Sequence, residues 1–150
     1  VRSMALPADA LGLALADLDR DGNQDALLMY AGTSMNVGYL AGRGDGTLAD
    51  SQALAVDSRA LSTRGWLLAD WNSDGWIDLL TIRSNSALQV HRGLPVASGK
   101  LPEFAVGKLY EHGFPGRLLA ADANRDGRPD LVVTSDGAGG FVSVYANRSR

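Results

Sequence analysis

The chain writes one acidic nonapeptide three times, at intervals of 53 and 52 residues. The copies run Asp17–Asp25, Asp70–Asp78 and Asp122–Asp130, and all fit Asp-x-[Asp/Asn]-x-Asp-Gly-x-x-Asp. Each copy is followed at once by an apolar run. Oxygen donors at alternate positions around a glycine describe a calcium loop. Recurrence at a fixed period describes a repeat architecture, in which each unit buries its apolar surface against its neighbours.

Each loop lies between short apolar segments. Before it come Leu13–Ala16, Trp66–Ala69 and Leu118–Ala121, and after it Ala26–Tyr30, Leu79–Arg83 and Leu131–Ser135. Polar turns at 31–34, 84–86 and 136–140 lead into third segments, Val37–Leu40, Leu88–His91 and Val142–Tyr145, which close near Gly42, Gly93 and Asn147. A weaker fourth segment follows twice, at Gln52–Val56 and Glu103–Tyr110. None of these runs keeps a helical period over three turns. The 18 glycines and the scarcity of Glu and Lys also favour strands and turns.

Four short antiparallel strands per unit of about fifty residues predict an all-β chain of β-propeller blades. The chain then reads as a single propeller segment over residues 1–150, with repeats at about 10–57, 63–110 and 115–150. A twelve-strand sandwich is the alternative, but a sandwich has no reason to repeat one turn. The third repeat lacks its fourth strand, and residues 1–7 stand in the place of one, completing the last blade of this chain or of a neighbour. Three blades fall short of the usual four to eight and leave sheet edges and faces uncovered. Either two chains assemble into six blades, or further blades belong to a longer chain. The chain begins with Val1 and shows no leader pattern, which reads as a processed or excised segment.

Within the first loop, Asp17, Asp19 and Asp21 can converge on one ion if the chain curls at Gly22. The carbonyl of Asn23 and the carboxylate of Asp25 complete the expected shell. The second site is Asp70, Asn72, Asp74, the carbonyl of Trp76 and Asp78; the third is Asp122, Asn124, Asp126, the carbonyl of Arg128 and Asp130. Position 12 holds Leu28, Thr81 or Val133, so these are not EF-hands. Three Ca²⁺ ions per chain are expected, with weaker binding where Asn replaces Asp19. Mg²⁺ fits less well because it retains its waters. Crowded carboxylates repel one another, so the ion is expected to fasten strands together.

The net charge is −3, yet ten of the seventeen acidic residues lie in the three loops. Three Ca²⁺ ions would therefore reverse the sign. No basic stripe suggests nucleic acid, and no apolar run is long enough to span a membrane. Cys is absent, no Ser sits in a nucleophile elbow and the two His lack zinc spacing, so no catalytic set is expected.

The three loops, together with Gly44-Asp45-Gly46-Thr47-Leu48 after the third segment, resemble the FG-GAP/VCBS repeat family of integrin α-subunit propellers and secreted propeller proteins. That resemblance covers essentially the whole chain. It implies a propeller, an extracellular setting, and a role in adhesion, scaffolding or glycan binding, with sugars held between adjacent blades in some members. Arg43-Gly44-Asp45 is explained by this turn without any adhesive role. Trp66 aligns with Leu13 and Leu118 and reads as core. Trp71 and Trp76 lie inside the second loop and can offer stacking surfaces to a sugar, and His91 and His112 are further candidates to meet a ligand between blades. The expected function is non-enzymatic recognition, foremost of glycans, with protein–protein adhesion second and a propeller lyase or hydrolase a distant third.

Overall fold

A computed structural model describes residues 3–6, 8–31, 35–56, 61–83, 87–111, 115–135 and 139–148. These residues form strands and turns and no helix, so no helix is long and apolar enough to cross a membrane. The strands build three antiparallel sheets in chain order, rather than the two of a sandwich. The first contains β1 (Ala10–Ala16), β2 (Asp25–Ala31), β3 (Met35–Leu40) and β4 (Gln52–Leu54), hydrogen-bonded in that order. The second contains β5 (Leu61–Ala69), β6 (Asp78–Arg83) and β7 (Ala87–Gly93), with β8 (Phe104–Ala105) and β9 (Leu109–Glu111) both pairing with β7. The third contains β10 (Pro115–Ala121), β11 (Asp130–Ser135) and β12 (Val142–Tyr145).

The first strand of every repeat extends further toward the N-terminus than its apolar segment, across an irregularity in the pairing beyond which Ala10 opposes Tyr30, Leu61 opposes Arg83 and Pro115 opposes Ser135. The expected single strand at Glu103–Tyr110 is divided. Gly107 passes so close to β7 that a Cβ there would lie 1.4 Å from the Val90 carbonyl oxygen. Resumption of pairing is marked by Val90 N–H donating to the Lys108 carbonyl at 3.1 Å. Only glycine admits this approach. Gly107→Ala is therefore expected to cost about 1–3 kcal/mol, read as a drop in the urea midpoint. An unchanged midpoint would show that the chain shifts freely there.

The fourth strand expected from residues 1–7 differs from what is found. Ser3–Leu6 form no strand, and Val1, Arg2 and Pro7 lie outside the described residues. Ser3 and Met4 instead line a shallow depression with Arg43, Gly46, Thr47 and Leu48 of the first repeat, far in sequence from β12. Local contact with the chain's own first turn is available at once, whereas pairing with β12 requires closure across the whole segment.

Register assigns every inward side chain to one of two faces, because residues directly opposite each other share a face. In the first sheet, Leu13 opposes Leu28, while Leu15 opposes Ala26 and Ala26 opposes Leu40. This is the leading face. Ala14, Leu27 and Tyr39 are similarly aligned on the trailing face, together with Val37 and Leu54. In the second sheet Trp66, Leu68, Leu79, Thr81 and His91 take the leading face, and Leu67, Leu80, Val90, Ile82 and Leu88 the trailing one. In the third, Leu118, Val133, Ala120, Leu131 and Tyr145 lead, while Leu119, Val132, Val144, Thr134 and Val142 trail.

Two cores follow from this pattern. Leu27, Met29, Val37 and Tyr39 on the trailing face of the first sheet pack with Leu79, Trp66 and Leu68 on the leading face of the second. Leu80, Ile82, Leu88 and Val90 on the trailing face of the second pack with Leu131, Val133 and Leu118 on the leading face of the third. Strand β5 lies against both β1 and β10, so the first strands of the three repeats are neighbours. Trp66 joins the first core as expected, and its indole fills the space over Gly12 of β1, where a Cβ would meet Nε1 at 2.6 Å.

Candidate metal centre and inter-sheet cleft

The three nonapeptides fold into the same loop. Position 1 (Asp17, Asp70, Asp122) accepts from the backbone N–H groups of positions 5 and 6 at 2.9–3.1 Å. The chain turns through left-handed conformations twice, at the glycine of position 6 (φ 91, 87 and 85°) and at position 4. Position 4 is Arg20, Ser73 or Arg125, with φ of 59, 58 and 63°. The glycine was legible as a bend. The left-handed residue at position 4 was not, since no glycine or asparagine marks it, and the hydrogen bonds on either side impose it.

In the first loop, one carboxylate oxygen from each of Asp17, Asp19 and Asp21 lies within 4.8 Å of the others. A calcium ion with ligands at about 2.3–2.6 Å separates opposite ligands by about 4.6–5.2 Å, so these three fit one coordination shell. Asp19 is buried and accepts from the Tyr39 hydroxyl at 3.3 Å, an apolar-core tyrosine whose ionisation is pushed up by burial and by Asp25 and Asp19. The second and third loops differ. Asn72 and Asn124 donate their side-chain amides to Asp74 and Asp126 at 2.7 and 3.1 Å, and Val90 and Val144 stand where Tyr39 does. Position 5 accepts from a side-chain amide in every loop, since Asn23 donates to Asp21 at 3.1 Å in the first, and what sets the first loop apart is a third carboxylate, Asp19, where the others carry Asn. Arg128 goes further in the third loop. Its guanidinium bonds Asp126 at 3.1 Å and holds that carboxyl below its ordinary range.

At position 7, the N–H groups of Asn23, Trp76 and Arg128 donate to the carboxylate at position 5. Position 9 stands behind the converging oxygens rather than among them. Asp25, Asp78 and Asp130 are all fully buried. One oxygen accepts from the loop, at Leu18 N–H in the first repeat, Trp71 and Asn72 in the second, and Ala123 and Asn124 in the third. The other accepts from the end of the third strand, at Gly42, Gly93 and Asn147, at 2.8 Å in every repeat. These aspartates therefore bolt the loop to the sheet, a role that spacing alone does not reveal. Burial pushes the Asp25 and Asp78 carboxyls up against the opposing pull of those backbone donors. Gly42 and Gly93 also sit on the position-8 carbonyls of Gln24 and Ile77, whereas Asn147 reaches the corresponding Pro129 carbonyl with its side chain at 3.1 Å.

Neighbouring loops are in contact. The Arg20 guanidinium of the first loop lies 5.1 Å from the centroid of the Trp76 ring in the second, which gives that indole an intramolecular partner. The Asn147 side chain donates to the Trp71 carbonyl, tying the third sheet to the second loop. Trp71 is half-buried, packs on the second core and lines a cleft of about 310 Å³ between the second and third sheets. Tyr110 and Tyr145 supply further aromatic surface there, with Lys108 and Arg148 as polar groups, while the Gln89 amide, on the face of Thr81 and His91, accepts from Arg83 at 2.7 Å. Sequence reading singled out Trp71 alone among these. The others come from segments 37 to 77 residues away, and only the packing of two sheets brings them together.

His91 is placed differently from expectation. It lies on the leading face of the second sheet, is 1% exposed and shares a 3.4 Å hydrogen bond with Thr81, so it does not line the cleft behind that sheet. Strand parity sends it to the opposite side from Val90. His112 lies outside the described residues.

No curated protein matches this chain. Nor does any solved structure. The family model described as FG-GAP-like repeat matches residues 70–133, from the first aspartate of the second loop into β11. That segment, which contains two of the three acidic loops and strands β6 to β10, is similar to an FG-GAP-like repeat.

Proposed function

We propose that this chain is a set of calcium-stapled propeller blades acting, outside the cell, as a non-enzymatic glycan-binding module, with the sugar held between the second and third sheets. The cleft itself carries this reading. Its volume suits a monosaccharide unit, its tryptophan and two tyrosines offer apolar faces to a pyranose ring, and Lys108 and Arg148 bring cationic donors capable of reaching hydroxyls. Among the described residues lining it there is no Asp, Glu, His or Ser, so the paired acids of glycoside hydrolysis are lacking there.

Calcium acts at a distance in this proposal. Each ion is held by positions 1, 3 and 5, with the position-7 carbonyl closing the shell and the position-9 carboxylate fastening the loop to the sheet from behind. It neutralises charges that otherwise push the loop apart. The second loop then matters for recognition, because Trp71 is its second residue and donates its own N–H to Asp78. Fixing that loop fixes one wall of the cleft.

A glycan array probed with calcium and with chelator tests this, alongside Trp71→Ala. Binding that is lost in both cases supports the proposal. An array silent in calcium would remove the lectin reading and leave protein–protein adhesion, which the same blades can serve.

A further inference from the structure

The cleft between the second and third sheets carries charge of one sign. Among the described residues lining it, Lys108 and Arg148 are the charged ones, and both are exposed cations. Neither has a carboxylate of the described residues within ion-pair distance. In a chain whose net charge is −3, such a pairing of cations runs against the composition. Register ties them to the aromatic surfaces. Tyr110 opposes Leu88, and Val90 N–H donates to the Lys108 carbonyl, so Lys108 and Tyr110 share the trailing face of the second sheet. The Lys108 ammonium stands 5.1 Å from the centroid of the Tyr110 ring. Arg148 follows Asn147, whose N–H bonds Asp130 and whose side chain bonds the Trp71 carbonyl. The repeat itself requires neither cation. By the same register, Gln52 and Leu54 stand in the first repeat where Lys108 and Tyr110 stand in the second. Gly93 N–H bonds Asp78 as Asn147 N–H bonds Asp130, which puts Leu94 in the place of Arg148. The first junction carries no charge at these places and is filled by Tyr39, Leu54 and Trp66.

We infer, on the footing of the glycan-binding role proposed above, that the sugar held in this cleft is acidic. It is a pyranose bearing a carboxylate or a sulfate ester, which Lys108 and Arg148 bind while the ring lies against the aromatic side chains. Hydroxyls can accept from both cations, but water serves those donors equally well. An anionic group instead forms charge-assisted bonds, and a guanidinium can give it two in parallel. Without an acid beside them, the two cations lose no internal partner when such a group arrives. Because both are exposed, the attraction is screened by salt. Carboxylate and sulfate share this chemistry, and paired probes separate them.

An array of acidic and neutral glycans, probed in calcium, tests this. It includes oligogalacturonate beside its methyl ester, and a sulfated galactan beside the unsulfated polymer. Acidic spots are expected to bind about tenfold or more tightly than their neutral partners. The preference should shrink as salt is raised. Whichever pair responds tells carboxylate from sulfate. Lys108→Gln with Arg148→Gln should abolish the preference, and since both side chains are exposed, circular dichroism should show the double variant folded. Acidic and neutral partners binding alike, or neutral spots binding alone, would overturn the inference and leave the glycan-binding role standing. A preference that survives in the double variant would overturn it too, because the charge is then read elsewhere. An array silent throughout would remove the glycan-binding role itself, and the acidic sugar with it.

Discussion

Asp78→Ala is expected to cost the chain about 3–5 kcal/mol when measured in chelator, where any ion contribution is removed. The carboxylate is fully buried and accepts from Trp71, Asn72 and Gly93. Alanine leaves the Asn72 and Gly93 N–H groups without acceptors, while Trp71 N–H keeps the Ala69 carbonyl at 2.9 Å, at about 1–3 kcal/mol for each orphan that stays buried. That is a large part of the 5–15 kcal/mol by which a domain is stable. Asp78→Asn should recover only part of the loss, since one amide oxygen can serve either Gly93 or the loop, and the amide hydrogens then face a donor. Urea midpoints of the three proteins decide the matter. An alanine variant within about 1 kcal/mol of the parent would mean that water replaces the carboxylate, and that position 9 does not hold the loop to the sheet.

Chelation is the second large effect. One site saturated at a hundredfold excess over its Kd stabilises by about 2.7 kcal/mol, so three independent sites add about 8 kcal/mol. For a chain of this length that corresponds to a fall in Tm on the order of 15–30 °C on adding chelator. The first loop should hold its ion most tightly, because three carboxylates converge there, whereas Asn72 and Asn124 leave two in each of the others and Arg128 neutralises one of those in the third. Asp19→Asn should bring the first site down to the level of the second. The pH dependence has a definite sign. Burial raises the Asp25 and Asp78 carboxyls above 3.8, so they take up protons at milder acidity than free aspartate. The folded chain therefore binds those protons more tightly than the unfolded one, so in chelator the cost of burying the two charges should be relieved as pH drops through the raised values, seen as a shallower acid loss of the urea midpoint than for Asp25→Asn. Titration calorimetry showing no calcium binding at neutral pH would remove the ion from the account.

The sequence was sufficient wherever the physics is local. Three identical loops need only their own nine residues to fold, since donors and acceptors lie two to seven positions apart, and so their geometry recurs although Leu18, Trp71 and Ala123 share no chemistry. The strand cores were legible for the same reason, as alternation and turn residues act over a few positions. Other features depended on contacts between sheets. Gly107 divides a strand because another strand passes beneath it. Trp76 acquires Arg20 from a different repeat, and His91 turns away from the cleft by strand parity. The cleft of Trp71, Tyr110 and Tyr145 arises only when two sheets meet. Short-range bonding is written in spacing. Which face a side chain joins, and what stands opposite it, is settled by packing between segments roughly fifty residues apart, and spacing carries no record of that.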